Sequence, residues 1–270
     1  MRPYLQTERA TLYHARAEEV YPHLAPGSVS MVWSDGPYAM KKAPWDMMGI
    51  DGLADWYAPH VEAWGRVCAP SATVYLWGTA EGWARLDPVM RAAGWTFRTL
   101  IVWHKVGAHP ARLGAASASK WPDVTEVCGV YVRGIPPHQN PAGASNVWDF
   151  DMTNGMRGGE RLTTTETTRR TGGSGRCYDC AEPLHPCQKP LAFADRAIRA
   201  STRIGDTILD PFAGTNRIAV ACRRLPEEER RHAIGIEMDQ RWLDAVRPSL
   251  IADHAHTGHS RQPSLFRSTP

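Results

Sequence analysis

The chain has 270 residues, of which 43% are hydrophobic and 22% are charged, and its formal net charge is +3. This length suits one large α/β domain, alone or with a small insert, and the weak positive charge permits a nucleic-acid partner without requiring one. No apolar run reaches the roughly 18 to 20 residues of a membrane span, and the first twenty residues lack the apolar core of a signal peptide. We therefore expect a cytoplasmic protein.

Strands and helices are predicted to alternate from about residue 13 to residue 133. A buried strand at 28–33 is followed by the turn-forming sequence Asp35-Gly36-Pro37, and Gly94 is well placed to end a helix. The other predicted elements of this segment are helices at 56–68 and 81–93 and strands at 73–77, 96–103 and 124–132.

The middle of the chain, at about 134–183, has little hydrophobic periodicity. Residues 155–176 contain five arginines and two glutamates in a Gly- and Thr-rich setting, a composition typical of a segment that is mobile on its own. Regular structure is predicted to return as helices at 190–201, 215–224 and 240–250 with strands at 207–210 and 232–237. This alternation implies a mainly parallel sheet covered by helices on both faces, and the tail from Asp253 is predicted to be disordered.

A ligand site is predicted where the strand at 207–210 meets the helix that follows it. Ligands of α/β folds bind at the carboxyl ends of strands and the amino ends of helices. The next strand ends at Glu237, whose carboxylate could accept hydrogen bonds from two ribose hydroxyls. The turn has one glycine, Gly214, and lacks the G-x-G-x-x-G pattern that closes on a pyrophosphate, so a nucleoside without phosphate fits better. On this segment alone, an ordinary α/β turn with a chance glycine remains open as an alternative.

The sequence of this turn resembles the D-P-F-x-G motif of S-adenosylmethionine-dependent DNA amino-methyltransferases. The resemblance implies a cofactor pocket lined by Asp210, Pro211, Phe212, Ala213, Gly214, Asn216 and Glu237. Asn216 and Arg217 stand where the family usually has a second glycine. Asn can adopt positive φ, so the turn could survive, whereas Arg217 could point outward or contact the cofactor carboxylate or DNA.

The strand at 28–33 delivers Asp35, Gly36, Pro37 and Tyr38 to the same edge of the sheet. An exocyclic amine is a poor nucleophile, and two acceptors on its hydrogens would favour a nitrogen with an available lone pair; Asp35 and the Gly36 carbonyl could supply them. Tyr38 could stack on a base that has left the duplex, and most of the catalysis would be positioning. As an isolated tetrapeptide D-G-P-Y is more often just a turn, but paired with the downstream motif it resembles the family's D-P-P-Y element, with Gly36 replacing the first proline. Asp35 would then also border the cofactor.

Two further elements extend the resemblance. Trp103-His104-Lys105 ends a strand much as the family's W-D-K element does, and residues 185–190 resemble its H-P-x-x-K-P element, which would place Lys189 near the cofactor. The catalytic element precedes the cofactor element, which resembles the β group of these enzymes. The implied fold is α/β and doubly wound, with a mainly parallel, seven-stranded-type, circularly permuted sheet and a small irregular insert. Expected boundaries are 1–107 for the catalytic half, 108–183 for its end and the target-recognition insert, 184–252 for the cofactor half and 253–270 for the tail.

DNA contacts are assigned to the insert by analogy with the family. They are Arg157, Arg161, Arg169, Arg170, Arg176 and, at the end of its strand, Lys105. The arginines could equally belong to a solvated flexible loop.

Cys177, Cys180, His185 and Cys187 have ligand types suited to zinc, but two of them lie inside the H-P-x-x-K-P element, so ordinary thiols are favoured and no metal is predicted. Cys68, Cys128 and Cys222 lie among apolar residues and are predicted to pack in the core.

The function that these features favour is methylation of adenine N6 in double-stranded DNA with S-adenosylmethionine as donor. Asp at the first motif position favours adenine, because cytosine-N4 enzymes more often have Ser there; cytosine N4 remains open, since Ser34 directly precedes Asp35. RNA base methylation is less favoured, because the motif order and the D-P-F-x-G element resemble the DNA group. A catalytically inactive cofactor- or DNA-binding module is a further alternative, supported by Gly36, Asn216 and Arg217. The resemblance also leaves open a homodimer and a cognate restriction endonuclease.

Overall fold

The computed structural model describes residues 1–41, 46–106, 124–138, 143, 145–151 and 188–251. Within these ranges one mixed sheet is flanked by helices. The strands are β1 (Leu5–Gln6), β2 (Ala10–His14), β3 (Val29–Ser34), β4 (Cys68–Gly78), β5 (Thr96–Val106), β6 (Thr125–Arg133), β7 (Val147–Asp151), β8 (Thr207–Asp210) and β9 (His232–Glu237). The α-helices are α1 (Ala17–Val20), α2 (Leu53–Val67), α3 (Ala80–Ala92), α4 (Leu191–Ser201), α5 (Arg217–Arg224) and α6 (Gln240–Ile251).

The strand order across the sheet is β1-β2-β9-β8-β3-β4-β6-β5-β7. The five strands from β2 to β4 are parallel, and β6 runs antiparallel to both β4 and β5. Strands β3 and β8 are direct neighbours, with Met31 opposite Ile208 and Val32 opposite Leu209. The two halves of the chain therefore form one sheet, and β3, β8 and β9 end at the same edge.

Neighbouring residues of each buried strand point to opposite sides of the sheet, so both faces are apolar and both are covered by helices. Trp33 and Trp77 pack on the α4–α6 face, where the Trp77 ring stacks on Phe193 with centroids 5.3 Å apart. Val32 and Val74 point to the other face, which α2 and α3 cover. The predicted doubly wound architecture is confirmed.

The predicted strands and helices of the two α/β segments are present, with shifted ends. Strand β4 begins at Cys68, earlier than predicted, and α5 begins at Arg217 rather than 215, since Gly214 and Asn216 have φ values of 47° and 51°. Strands β1, β2 and β7 were not predicted. The expectation of no regular structure across 134–183 is wrong at β7, which pairs in parallel with β5.

Three of the cysteines are described, and all three are free and buried, as predicted: Cys68, Cys128 and Cys222. Burial raises the pKa of the Cys68 and Cys222 thiols to about 12, so they are inert packing groups. None of the helices in the described ranges combines the length and the apolar composition that a membrane crossing requires.

Candidate active site at the carboxyl edge of the sheet

The two predicted motifs meet at one edge of the sheet. Asp35 follows the last residue of β3, and Asp210 is the last residue of the neighbouring strand β8. The Phe212 ring lies directly against Gly36: a Cβ atom built on Gly36 would be 2.7 Å from Phe212 Cδ2. The catalytic tetrapeptide and the cofactor turn therefore share one site.

Asp35 is held by two hydrogen bonds on one of its oxygens. Lys189 Nζ donates to Asp35 Oδ1 at 2.7 Å, and the Tyr38 hydroxyl donates to the same atom at 2.7 Å. Asp35 Oδ2 has no hydrogen-bond partner among the described residues. Burial raises the pKa of Asp35, while the Lys189 ammonium and the Tyr38 hydroxyl counteract that rise. One carboxylate oxygen is thus fixed in place and the other can face a substrate.

The Lys189 ammonium lies inside the catalytic cluster. It is 3% exposed and donates to Tyr38 Oη at 2.9 Å as well as to Asp35. It also lies 5.2 Å, 5.6 Å and 6.0 Å from the ring centroids of Tyr38, Trp77 and Trp103, so three aromatic rings surround the charge. Lys189 was predicted to contact the cofactor, and that contact stays a prediction.

Glu126, on β6, completes this cluster and was not predicted. Its Oε2 lies 3.1 Å from Lys189 Nζ and its Oε1 lies 2.7 Å from Lys105 Nζ. Burial alone would raise the pKa of Glu126, but the two ammonium groups together hold it below its ordinary value. Lys105 was predicted to contact DNA; its side chain is 13% exposed and its ammonium is already paired with Glu126, and a DNA contact stays a prediction. The sequence signal that could have identified Glu126 is a single acidic residue in a mostly apolar strand at 125–132.

Tyr57 explains why glycine replaces the family's first proline. Its hydroxyl is fully buried and donates to the Pro37 carbonyl at 3.4 Å. A Cβ atom on Gly36 would be 2.6 Å from the Tyr57 hydroxyl oxygen, closer than any real contact. The position therefore requires glycine while Tyr57 and Phe212 are present.

Asp46, also not predicted, anchors the backbone that follows the tetrapeptide. It is 2% exposed and accepts hydrogen bonds from the backbone N–H groups of Tyr38 (2.8 Å), Ala39 (2.7 Å) and Met40 (3.0 Å). Ala39 and Lys41 have φ values of 59° and 57°, in the left-handed region that L-residues adopt at a cost. The buried carboxylate offsets that cost and fixes the backbone of Tyr38.

The cofactor turn is built around two acids. Glu237 Oε2 accepts from the Gly214 N–H at 2.7 Å and Oε1 from the Asp239 N–H at 2.8 Å, which orients the carboxylate and leaves a lone pair on each oxygen. Asp210 is buried, and its Oδ1 has no hydrogen-bond partner among the described residues. Burial raises the pKa of Asp210 well above its ordinary value, and the nearby charges of Asp35 and Glu237 raise it further.

Asn216 takes the role that a glycine would have in this turn. Its φ of 51° confirms the predicted positive φ, and its Nδ2 donates to the Gly214 carbonyl at 3.1 Å. Arg217 is 7% exposed, so of its three predicted placements the outward one is wrong.

The model of the N6/N4 methyltransferase family, described as "DNA methylase", matches residues 29–247. The chain belongs to this family. It is therefore a DNA methyltransferase that acts on exocyclic amino groups, with S-adenosylmethionine as its methyl donor.

Relatives of the methylase match over nearly the whole chain. Type II methyltransferase M2.DpnII of Streptococcus pneumoniae is 23% identical, and the alignment covers 94% of each chain. Type II methyltransferase M2.LlaDCHI of Lactococcus lactis subsp. cremoris is also 23% identical, with 92% of each chain covered.

Among solved structures, the cytosine-N4-specific PvuII DNA methyltransferase superimposes with a TM-score of 0.73 at 15% identity, covering 94% of this chain and 90% of that one. The complex of M1.HpyAVI with S-adenosylmethionine gives a TM-score of 0.61 at 18% identity, covering 89% of this chain and 99% of that one. These similarities show the same fold.

The residues of the methylase suit S-adenosylmethionine. Asp35, Asp210 and Glu237 bring three carboxyl groups to one edge, and Asp210 Oδ1 is a buried acceptor without a donor among the described residues. The cofactor has a sulfonium and an ammonium group, and such cations are what this acidic edge requires. Glu237 would hold the ribose hydroxyls and Phe212 would offer an apolar face. When bound, the cofactor supplies an electrophilic methyl group.

Several predicted residues of the methylase lie outside the described residues. These are Arg157, Arg161, Arg169, Arg170, Arg176, Cys177, Cys180, His185 and Cys187. Their predicted DNA contacts, and the choice between thiols and zinc, stay predictions.

Proposed function

We propose that the methylase transfers a methyl group to N6 of adenine in double-stranded DNA. The observation that carries this proposal is that the first motif position is Asp35, and that the preceding residue, Ser34, is buried. Asp35 has one carboxylate oxygen, Oδ2, without a hydrogen-bond partner among the described residues, while Ser34, the residue type that would favour cytosine N4, is fully buried. Ser34 therefore cannot replace Asp35 as the group that meets the base.

The chemistry follows from two acceptors aimed at one amine. Asp35 Oδ2 and the Gly36 carbonyl would each accept a hydrogen of the NH2 group, and the Tyr57 hydroxyl fixes the neighbouring peptide by donating to the Pro37 carbonyl. Two such bonds draw the hydrogens out of the ring plane and make the nitrogen lone pair available. Tyr38, whose hydroxyl is fixed by Lys189 and Asp35, would stack on the base.

Asp35 is also placed to take up the proton that the reaction releases. The bound cofactor would supply the methyl group, and its sulfur would keep the electron pair of the C–S bond while the nitrogen lone pair forms the new N–C bond. The methylated nitrogen then carries one hydrogen in excess, and Asp35 Oδ2 can accept it. Because burial raises the pKa of Asp35, it is a stronger base than an exposed aspartate.

The base must leave the duplex to reach this site. The proposed phosphate contacts are the arginines of residues 155–176 together with Lys105. The relatives are named Type II methyltransferases, which supports a role in restriction–modification beside a cognate endonuclease. We extend the proposal to a cytoplasmic location, where DNA is available, and to a homodimer.

Cytosine N4 is the second candidate target. The observation that favours it is the solved structure with a TM-score of 0.73, which is named cytosine-N4-specific. At 15% identity this similarity concerns the fold, so we base the choice of adenine on Asp35 at the first motif position.

Mass spectrometry of nucleosides separates the two candidates. Unmethylated plasmid DNA is incubated with the protein and S-adenosylmethionine, digested to nucleosides and analysed. We expect to detect N6-methyladenine. Detection of N4-methylcytosine alone would overturn the proposal in favour of cytosine N4. RNA in place of DNA serves as the control acceptor and should receive no methyl groups.

A further inference from the structure

We propose that Glu126 is a positioning residue for methyl transfer: it shares the Lys189 ammonium with Asp35 and so keeps the Asp35 carboxylate available to the base amine. This inference rests on the proposed function. Glu126 belongs to none of the motifs that identify the site.

The geometry makes Lys189 the link between two carboxylates. Its Nζ lies 2.7 Å from Asp35 Oδ1 and 3.1 Å from Glu126 Oε2. An ammonium with a single carboxylate partner forms a tight ion pair, which withdraws negative charge from that carboxylate. With Glu126 present, the electrostatic attraction of the Lys189 ammonium is shared between the carboxylates of Asp35 and Glu126.

Lys105 holds Glu126 in the position that this sharing requires. Trp103 on β5 is directly opposite Glu126 on β6, and Lys105, two residues further along β5, lies over the Trp103 ring at 5.1 Å from its centroid. From there its Nζ reaches Glu126 Oε1 at 2.7 Å. One oxygen of Glu126 is thus taken by Lys105 and the other faces Lys189.

The charges of the cluster balance in pairs. Lys189 and Lys105 supply two positive charges, and Asp35 and Glu126 supply two negative ones. Removing Glu126 leaves Asp35 as the carboxylate that contacts Lys189 among the described residues. Asp35 would then bind the ammonium more tightly, accept less strongly from the base and take up the released proton less readily.

The titration of Asp35 separates positioning from a merely structural role. The charged and titratable groups around Asp35 are Lys189, Tyr38, Glu126 and Asp210, together with the neutral Tyr57 hydroxyl and Cys128 thiol. The negative charge of Glu126 raises the pKa of Asp35. Loss of that charge therefore moves the pH at which Asp35 titrates, and the acid limb of the rate profile, to lower pH.

The experiment compares Glu126→Gln with two controls. Glu126→Asp keeps the negative charge. Asp149→Asn removes a carboxylate outside the cluster: Asp149, on β7, forms an exposed pair with His104 on β5, with 2.7 Å between Asp149 Oδ1 and His104 Nδ1. We measure the single-turnover rate of methyl transfer against pH, and the Kd of S-adenosylmethionine by calorimetry. Asp35 is titrated in cofactor-free protein by ¹³C-carboxylate NMR, with its signal assigned from Asp35→Asn.

We expect Glu126→Gln to lower the single-turnover rate by roughly tenfold to a hundredfold, to change the cofactor Kd less than about twofold, and to titrate Asp35 at lower pH than wild type. Glu126→Asp should titrate near wild type with a smaller loss of rate, and Asp149→Asn should match wild type throughout. An unchanged Asp35 titration in Glu126→Gln overturns the inference, as does a loss of rate with an equal loss of cofactor affinity. If wild-type protein methylates no DNA, the proposed function fails, and the titration still shows whether Glu126 acts on Asp35 through the shared Lys189 ammonium.

Discussion

Replacing Gly36 by alanine should damage the site, although the family's proline at this position also has a Cβ atom. The new Cβ would be 2.6 Å from the Tyr57 hydroxyl oxygen and 2.7 Å from Phe212 Cδ2. Ordinary contacts begin at about 3.5 Å, so these neighbours must move by about 0.8 to 0.9 Å. Tyr57 is fully buried, and the Phe212 ring is flanked by Trp56 and His60 with centroids 5.2 Å and 5.0 Å away.

Overpacking of this kind costs about 1 to 3 kcal/mol, and each kcal/mol lowers Tm by about 2 to 4 °C in a chain of this size. A displacement near 1 Å at the reacting groups lowers the rate by about a hundredfold. Differential scanning calorimetry and transfer of a tritiated methyl group to DNA measure the two effects. Gly49→Ala is the matched control, because nothing lies within 4 Å of a Cβ at Gly49.

A double variant tests the cause. Tyr57→Phe removes the hydroxyl that the new Cβ would meet, so Gly36→Ala should be less harmful in the Tyr57→Phe background than in wild type, with a coupling energy of roughly 0.5 kcal/mol or more. Wild-type stability and activity in Gly36→Ala, or strict additivity with Tyr57→Phe, would refute the steric explanation.

Three further variants have expected outcomes of different sign. Asp46→Asn weakens the charge-assisted bonds to three backbone N–H groups; it should lower kcat and reduce stability by about 1 to 3 kcal/mol with the cofactor Kd unchanged, and an intact kcat would contradict the anchoring role. Asp210 has a folded-state pKa raised by burial, so its contribution to stability falls as pH rises from the unfolded value of about 4 through the folded-state pKa. Asp210→Asn should therefore raise the Tm of the cofactor-free protein at neutral pH yet weaken cofactor binding by roughly tenfold, and a lowered Tm would count against the reasoning. Asn216→Ala should unfold at lower temperature than Asn216→Gly, because alanine at a φ of 51° costs about 1 to 2 kcal/mol; equal Tm values would show that the turn relaxes.

The elements that carry the site could be predicted because each is a local pattern. A short apolar strand followed by Asp35-Gly36-Pro37, and another followed by Asp210 and a glycine turn, indicate a strand that ends at a loop. Parallel strands then bring these loops to one edge. The positive φ of Asn216 followed in the same way from the conformations that asparagine tolerates.

The contacts that support the site could not be predicted, because they join distant parts of the chain. Lys189 and Asp35 are 154 positions apart, and Tyr38 and Glu126 are 88 apart. Their proximity depends on the register of β3, β4 and β6, which no local pattern fixes. Asp46 lies in a loop without periodicity, and its role emerges from the path of the backbone around it.

The unpredicted strands have the same explanation. Strand β2 has five residues, and its partner β9 lies more than 200 positions further along the chain. Such a short segment has no periodicity that distinguishes a strand from a turn. Strand β7 also has five residues and is stabilised at the sheet edge by pairing with β5.

The single-turnover rate of Asp35→Ala, at saturating DNA and S-adenosylmethionine, tests most directly whether this carboxylate grips the base amine beside the methyl donor. We expect a fall on the order of a hundredfold or more, since the variant loses both an acceptor for the amine and the group that takes up its proton. A rate within a few fold of wild type would show that the amine is activated by other residues, and would contradict the proposed mechanism.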